Sequence, residues 1–382
     1  MLFAGKTKYA SALVPVLIAS AMMFTGCSGK NKTSNKKNST SKEAAAVDYD
    51  VTKQVTLGDY SNLKLTITGD YSEETYLKNL ISSAGYKADD TKTVVENDSI
   101  VNVDYVGKKD GTAFEGGSAE DVNIDVANNK DATSGTGYID GFSSGLVGAA
   151  VGSSVDSEVT FPSDYQASDL AGATVTFTFK INYIAKPVEE SDLDDDYVAE
   201  NFKNYGYKTV DDLKAAAKEN AESDKKAAIN TAVIDEMEKN SKVTLPDGLL
   251  DKRVDAYKKR FKETYVTSGT LKSYLKQFNM TEKQFNEKVR ENMEKSLKEE
   301  LIFEAVAKKE NIKFDQKGYD KYLKSMIKQS GVKDANAFYK EYGTSVSDGK
   351  AYIKKMYVGN KACQFIADKA DVTVNPSTGS AS

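Results

Sequence analysis

The sequence predicts two folded parts of different class: an α+β domain, an antiparallel sheet wrapped on a short helix, followed by an all-α domain. Three observations predict this. Between 100 and 184, apolar residues alternate with polar ones at every second position, as in strands with one face in a core. Inside that stretch, 138–147 spaces Tyr138, Ile139, Phe142 and Leu146 in the manner of a helix. Beyond Pro187 the apolar period lengthens to three and four, in a background rich in Ala, Lys and Glu.

The chain of 382 residues is long enough for two or three domains with their own cores. Its 52 basic and 57 acidic residues leave a net charge of −5, which gives no case for nucleic acid as a partner. It has no His, which removes the commonest general base and metal ligand and argues against triads and zinc sites.

Residues 1–27 read as an export signal. Lys6 and Lys8 precede an apolar run over 10–24 that is too short for a stable span. It ends in Phe24-Thr25-Gly26-Cys27, which resembles a bacterial lipobox, with Phe24 where Leu is usual. The resemblance implies that Cys27 is diacylated and becomes the N-terminus, anchoring the chain to a membrane by two acyl chains. An ordinary signal peptide with an incidental Cys is the plainer alternative. Residues 28–48 hold five Lys against Glu43 and Asp48 and almost nothing apolar before Val47, the composition of a disordered tether. Residues 49–96 form a lead-in. There Leu63-Lys64-Leu65-Thr66-Ile67 alternates as a strand, and Tyr76, Leu77, Leu80 and Ile81 follow helical spacing.

The domain at 97–186 carries the most specific pattern. Val101, Val103 and Tyr105 share one strand face, and Asp110-Gly111 supplies a hairpin turn. Phe114-Glu115-Gly116-Gly117 follows, then Tyr138-Ile139-Asp140-Gly141-Phe142-Ser143-Ser144-Gly145-Leu146. Pro162-Ser163-Asp164-Tyr165 comes next, and the domain closes on Val175-Thr176-Phe177-Thr178-Phe179. These five blocks, in this order, resemble an FKBP-type peptidyl-prolyl isomerase of the kind found in trigger factor.

The resemblance implies an apolar pocket for a prolyl ring, with Tyr105, Phe114, Glu115, Ile139, Phe142 and Phe177 as catalytic residues. Phe142 would take the floor, the Ile139 N–H would bond the substrate carbonyl, and Tyr105 would orient Glu115. Val122, Tyr138, Tyr165 and Leu170 would contact substrate, the last two as a rim. No cofactor or metal is implied, because rotation about an amide needs neither nucleophile nor proton shuttle. Tyr138 stands where the family has a small or aliphatic residue. Ser143-Ser144 replaces an acidic pair, and the loop 128–137 is longer than its family counterpart, with Gly135 and Gly137 expected to make it mobile. Each aromatic taken alone also suits a small core.

Residues 187–195 read as a linker, 196–372 as a helical domain and 373–382 as a disordered tail. Leu250, Val254, Tyr257, Phe261 and Tyr265 share a face, and Thr281-Glu282-Lys283-Gln284 is a capping box opening a long helix. The order after the isomerase-like domain, and the segment Val243-Thr244-Leu245-Pro246, resemble the C-terminal chaperone region of trigger factor. Cys363, beside Phe365 and Ile366, is expected to be a buried thiol. The ribosome-binding head of trigger factor has no counterpart, so the resemblance implies no ribosome as partner.

The reading that follows is a lipid-anchored foldase on the extracytoplasmic face of a bacterial cell membrane. It would act on unfolded or newly exported polypeptides with X–Pro bonds, isomerising and holding them. A catalytically inactive FKBP-like holdase and a surface binding lipoprotein are the alternatives.

Overall fold

The computed structural model describes residues 48–343 and 345–376. The export signal, Cys27 and nearly all of the expected tether lie outside the described residues. The chain divides into two compact units: Ser72–Glu219, and a second made of 48–71 together with the residues from Asn220 onward.

The described chain opens in the second unit with α1 (Val51–Gln54), β1 (Val55–Thr56) and β2 (Lys64–Thr68). It then enters the first unit with α2 (Glu73–Ser82), N-capped by Ser72, whose hydroxyl accepts from Thr75 N. The strands β3 (Tyr86–Ala88), β4 (Ile100–Lys109), β5 (Thr112–Asp125), β6 (Lys130–Asp131), β7 (Ser154–Thr160) and β8 (Thr174–Pro187) follow. They form one antiparallel sheet in the order β3-β8-β4-β5-β6, with β7 also on β8. The hairpin between β4 and β5 turns on Asp110 and Gly111, at φ 51° and 78°, the left-handed pair that a two-residue turn requires.

Strand alternation behaves as the sequence predicts. Val101, Val103, Ile124, Phe179 and Ile181 have no exposed surface and form the core of the sheet. On the opposite face Asn102 is buried but bonded, its Nδ2 donating to Asp121 Oδ1 (2.9 Å) and Asn123 Oδ1 (3.1 Å).

Three expectations about the elements up to residue 195 need correction. The helix expected at 138–147 shrinks to one 3-10 turn, Ser144–Leu146, because Gly141 sits at φ 84°, outside helical space. The lead-in 49–96 is not one piece: it divides at residue 72, and α2 packs Leu77 and Ile81 against Val188, Val198, Phe202 and Leu213 within the first unit. The stretch 187–195 is a packed corner rather than a bare linker. Val188 is buried, and Asp192 meets Lys87 (2.9 Å) and Lys186 (3.6 Å). Its carboxyl lies below the ordinary range, mainly through the Glu189 N–H and Lys87.

The chain continues through α3 (Asp195–Asn201) and α4 (Val210–Asn240), within which the division between units falls. The second unit takes up β9 (Lys242–Val243), α5 (Leu249–Tyr265), α6 (Leu271–Lys276), α7 (Glu282–Lys309), α8 (Gln316–Ser330), α9 (Ala335–Tyr342), α10 (Val346–Ala367) and β10 (Asp371–Asn375). The Thr281 capping box closes as predicted, with Thr281 N donating to Gln284 Oε1 (2.9 Å) and Gln284 N to Thr281 Oγ1 (3.2 Å). The second half of α7, with Leu301, Ile302, Phe303 and Val306, joins Ile353, Cys363 and Ile366 of α10 in the core. Burial pushes the Cys363 thiol up to about 12. Phe261, Leu275, Phe285 and Val289 form a separate cluster.

The lead-in strands belong to this helical unit: Val55 pairs with Val243, and β2 runs parallel to β10 from Lys64–Asp371 to Thr68–Asn375. Residues 373–375 are therefore strand, not the disordered tail expected of them. Lys355 bridges Glu300 (2.8 Å) and Glu304 (2.6 Å), while Arg253 meets Glu300 (3.2 Å) from another helix. Among the described residues no helix is long and apolar enough to cross a membrane.

Candidate active site

The sheet delivers a set of aromatic rings to one place. Tyr105 on β4 lies opposite Phe179 on β8, and Gly107 lies opposite Phe177. A side chain at 107 would have its Cβ 2.6 Å from the Phe177 ring and 2.7 Å from that of Phe114. Gly117 plays the same part on β5, where a Cβ would stand 2.5 Å from Phe114. The two glycines make the slot that holds the Phe114 ring.

Phe142 is the hub, with 3% of its surface exposed. Ring centroids of Phe177 (4.8 Å), Phe179 (5.0 Å) and Tyr105 (5.2 Å) approach it at steep angles of 75°, 78° and 86°. Phe114 joins through Phe177 (5.9 Å), and Phe161 links Phe114 (6.0 Å) to Tyr165 (4.6 Å). Such edge contacts are each worth about 0.5–1.5 kcal/mol beyond burial and fix the rings' orientation.

The turn carrying Ile139 and Phe142 is held by Asn129. That residue sits at φ 48°, a left-handed conformation Asn tolerates. Its Nδ2 donates to the Ile139 carbonyl (2.9 Å), and its Oδ1 accepts from the buried Ser143 N–H (3.0 Å). Tyr138 N donates to the Asn129 carbonyl (2.9 Å), and Ser143 Oγ donates to the Val126 carbonyl (3.2 Å). Among the described residues the Ile139 N–H donates to no acceptor, which leaves it for a ligand.

The loop 128–137 is a stitched hairpin. Asp131 N donates to the Thr136 carbonyl (2.9 Å), and Asp131 Oδ1 accepts from Thr133 N (2.9 Å) and Ser134 N (2.6 Å). Tyr138, next in the chain, lays its ring on Phe142 at 4.3 Å and 24°, and its hydroxyl faces Asp131 Oδ2 at 3.5 Å. Burial pushes the hydroxyls of Tyr105 and Tyr138 up, so both stay neutral.

The structure brings Tyr105, Phe114, Ile139, Phe142, Phe177, Val122 and Tyr138 into one cluster, with Tyr165 at its edge. Leu170, expected on the rim, is instead buried in the core beneath it. Glu115 departs further: it is exposed and makes no hydrogen bond with Tyr105. Strand alternation explains this, since Phe114 turns inward and the next residue turns out. Sequence reasoning did not find Asn129, Gly107 or Phe161. Lys109 was also missed; it donates to the Asp169 carbonyl and so ties the β4–β5 hairpin to the loop of Tyr165.

Chemically, the cluster offers an apolar, aromatic surface beside the Ile139 N–H. Among the described residues no group of His, Cys, Asp and Glu is placed to hold a metal ion.

Comparison with known proteins agrees in kind. Residues 91–183 match the family described as FKBP-type peptidyl-prolyl cis-trans isomerase, and 209–368 match the bacterial trigger factor protein C-terminus. The trigger factor of Halothermothrix orenii is 32% identical over 293 residues, covering 74% of this chain and 66% of its own length. That of Caldicellulosiruptor bescii is 29% identical over 290 residues, covering 75% and 63%. The chain thus spans a little under two thirds of the length of these curated relatives. A solved trigger factor chaperone, described for promiscuous substrate recognition in folding and assembly, aligns over 83% of this chain and 73% of its own. The identity there is 15% and the TM-score 0.39.

Proposed function

From a chain that carries an FKBP-type peptidyl-prolyl isomerase domain followed by a trigger factor C-terminal domain, we propose a foldase that isomerises X–Pro bonds and holds unfolded clients. The observation that carries the catalytic half is the ring cluster around Phe142, set beside the unengaged Ile139 N–H. Amide resonance sets a barrier of about 18–20 kcal/mol and places partial charge on the carbonyl oxygen and nitrogen. An apolar wall of Tyr105, Phe114, Phe142 and Phe177 disfavours that charge-separated planar form, and the twisted amide loses less there than in water. The Ile139 N–H holds the client carbonyl while the prolyl ring turns. A barrier lower by about 4 kcal/mol is roughly a thousandfold in rate.

The test is cis-to-trans isomerisation of a Leu–Pro tetrapeptide by the full-length chain beside a Phe142→Ala variant. Turnover that collapses in the variant supports the reading, and equal traces refute it. For the holding half, suppression of aggregation of an unfolded, proline-free protein is expected to survive Phe142→Ala. The reading extends to an extracytoplasmic, lipid-anchored location, supported by the lipobox-like Phe24-Thr25-Gly26-Cys27. Radiolabelled palmitate incorporated into the chain and lost in Cys27→Ser tests it.

A further inference from the structure

We propose that Tyr138 is a gate on the isomerase pocket: its ring lies on the Phe142 face that a client's prolyl ring would use, and the pocket opens only when it swings away. The inference rests on the isomerase reading above and deepens it.

Phe142 meets Tyr105, Phe177 and Phe179 at steep angles, and the last two of these are themselves buried. The ring lying nearly flat on it, at 24° and 4.3 Å, is that of Tyr138, which is half-buried and reaches solvent. What keeps Phe142 at 3% exposure is therefore in part a movable side chain. The backbone beneath Tyr138 is pinned through the Asn129 carbonyl (2.9 Å), so opening is a side-chain rotation that leaves Ile139 in place. Asp131 is the latch. One of its oxygens is fixed by Thr133 N and Ser134 N, and the other faces the Tyr138 hydroxyl at 3.5 Å. The long hairpin 128–137 and the large residue after it form one device, since the first carries the acceptor for the second.

A site open for only a fraction of the time binds more weakly by that fraction. A stack of this kind closes the site about nine-tenths of the time, so removing the ring raises kcat/KM and tightens binding roughly tenfold.

The experiment compares the full-length chain with Tyr138→Val and Tyr138→Leu, on the Leu–Pro tetrapeptide, by isomerisation rate and by NMR titration, with circular dichroism to confirm folding. A rise of about tenfold over the parent in both substitutions supports the gate. Unchanged or weaker binding in both, with Phe142→Ala still abolishing it, overturns the gate and leaves the isomerase reading standing. A Phe142→Ala variant as active as the parent, or silence in every variant, removes the pocket itself and the gate with it.

Discussion

Replacing Asn129 separates positioning from packing. Asn129→Gly keeps the left-handed backbone at φ 48° without strain and deletes only the amide. The Ser143 N–H, whose residue is 3% exposed, then loses its 3.0 Å acceptor, and the Ile139 carbonyl loses its 2.9 Å donor. A buried donor left unsatisfied costs about 1–3 kcal/mol and the second bond about 1, so the turn loosens by about 2–4 kcal/mol. Asn129→Ala adds a further ~1–2 kcal/mol for the left-handed conformation. Misplacing a bound group by about 1 Å costs up to about a hundredfold. The expected result for Asn129→Gly is therefore a 10- to 100-fold fall in isomerase kcat with a smaller change in KM. Asn129→Asp, which keeps the acceptor for Ser143 and loses the donor, should fall between. The assay is the tetrapeptide rate over a range of substrate concentration, beside thermal unfolding. Full kcat in Asn129→Gly would refute the reasoning and show that the Ser143–Val126 bond alone holds the turn.

Other positions give equally direct tests. Gly117→Ala drives a methyl within 2.5 Å of the Phe114 ring, and should weaken tetrapeptide binding at least tenfold while the fold survives by circular dichroism. Lys355→Met leaves the buried Glu300 with Arg253 alone. A loss of about 2 kcal/mol, or roughly 4–8 °C in the melting midpoint of the helical unit, is expected, and calorimetry checks it. Glu299 is 3% exposed, and burial, then the nearby Glu238, push its carboxyl up to about 7. An acid whose folded value is raised holds its proton more tightly when folded. Its contribution is thus fully present below pH ~4.5 and lost as pH rises through about 7, on the order of 3 kcal/mol. Glu299→Gln should flatten urea midpoints over that window and raise them above it.

The sheet was legible because its signal is local. Val101, Val103 and Tyr105 alternate, and Phe177 and Phe179 alternate opposite them, so the register that gathers the rings follows from a period of two. The same rule places Glu115 on the outer side of β5, against the role borrowed for it from the family resemblance. Asn129 was not legible: an Asn in a polar loop reads as a turn former, and its bonds to Ile139 and Ser143 exist only once 138–143 has folded back. The apolar spacing at 138–147 resembled a helix because two residues of the pocket happen to lie three apart. The division of the lead-in at residue 72 left no mark in periodicity, since β2 and α2 each look regular whichever unit they join.

The pairing of β2 with β10 has a consequence for the order of events during synthesis. Everything needed for the sheet around Phe142 lies between 72 and 219, whereas the helical unit needs residues from both sides of that stretch. A chain emerging from its N-terminus can complete the isomerase-like unit while its other half is still arriving. Lys64 waits for Asp371, across a separation on the order of 300 residues. The segment 48–71 is therefore an early-made piece whose partners come last. Until β10 arrives, β2 presents an unpaired strand edge, the kind of surface that chaperones exist to cover. A protein that we propose holds unfinished chains is, for the length of its own synthesis, one of them.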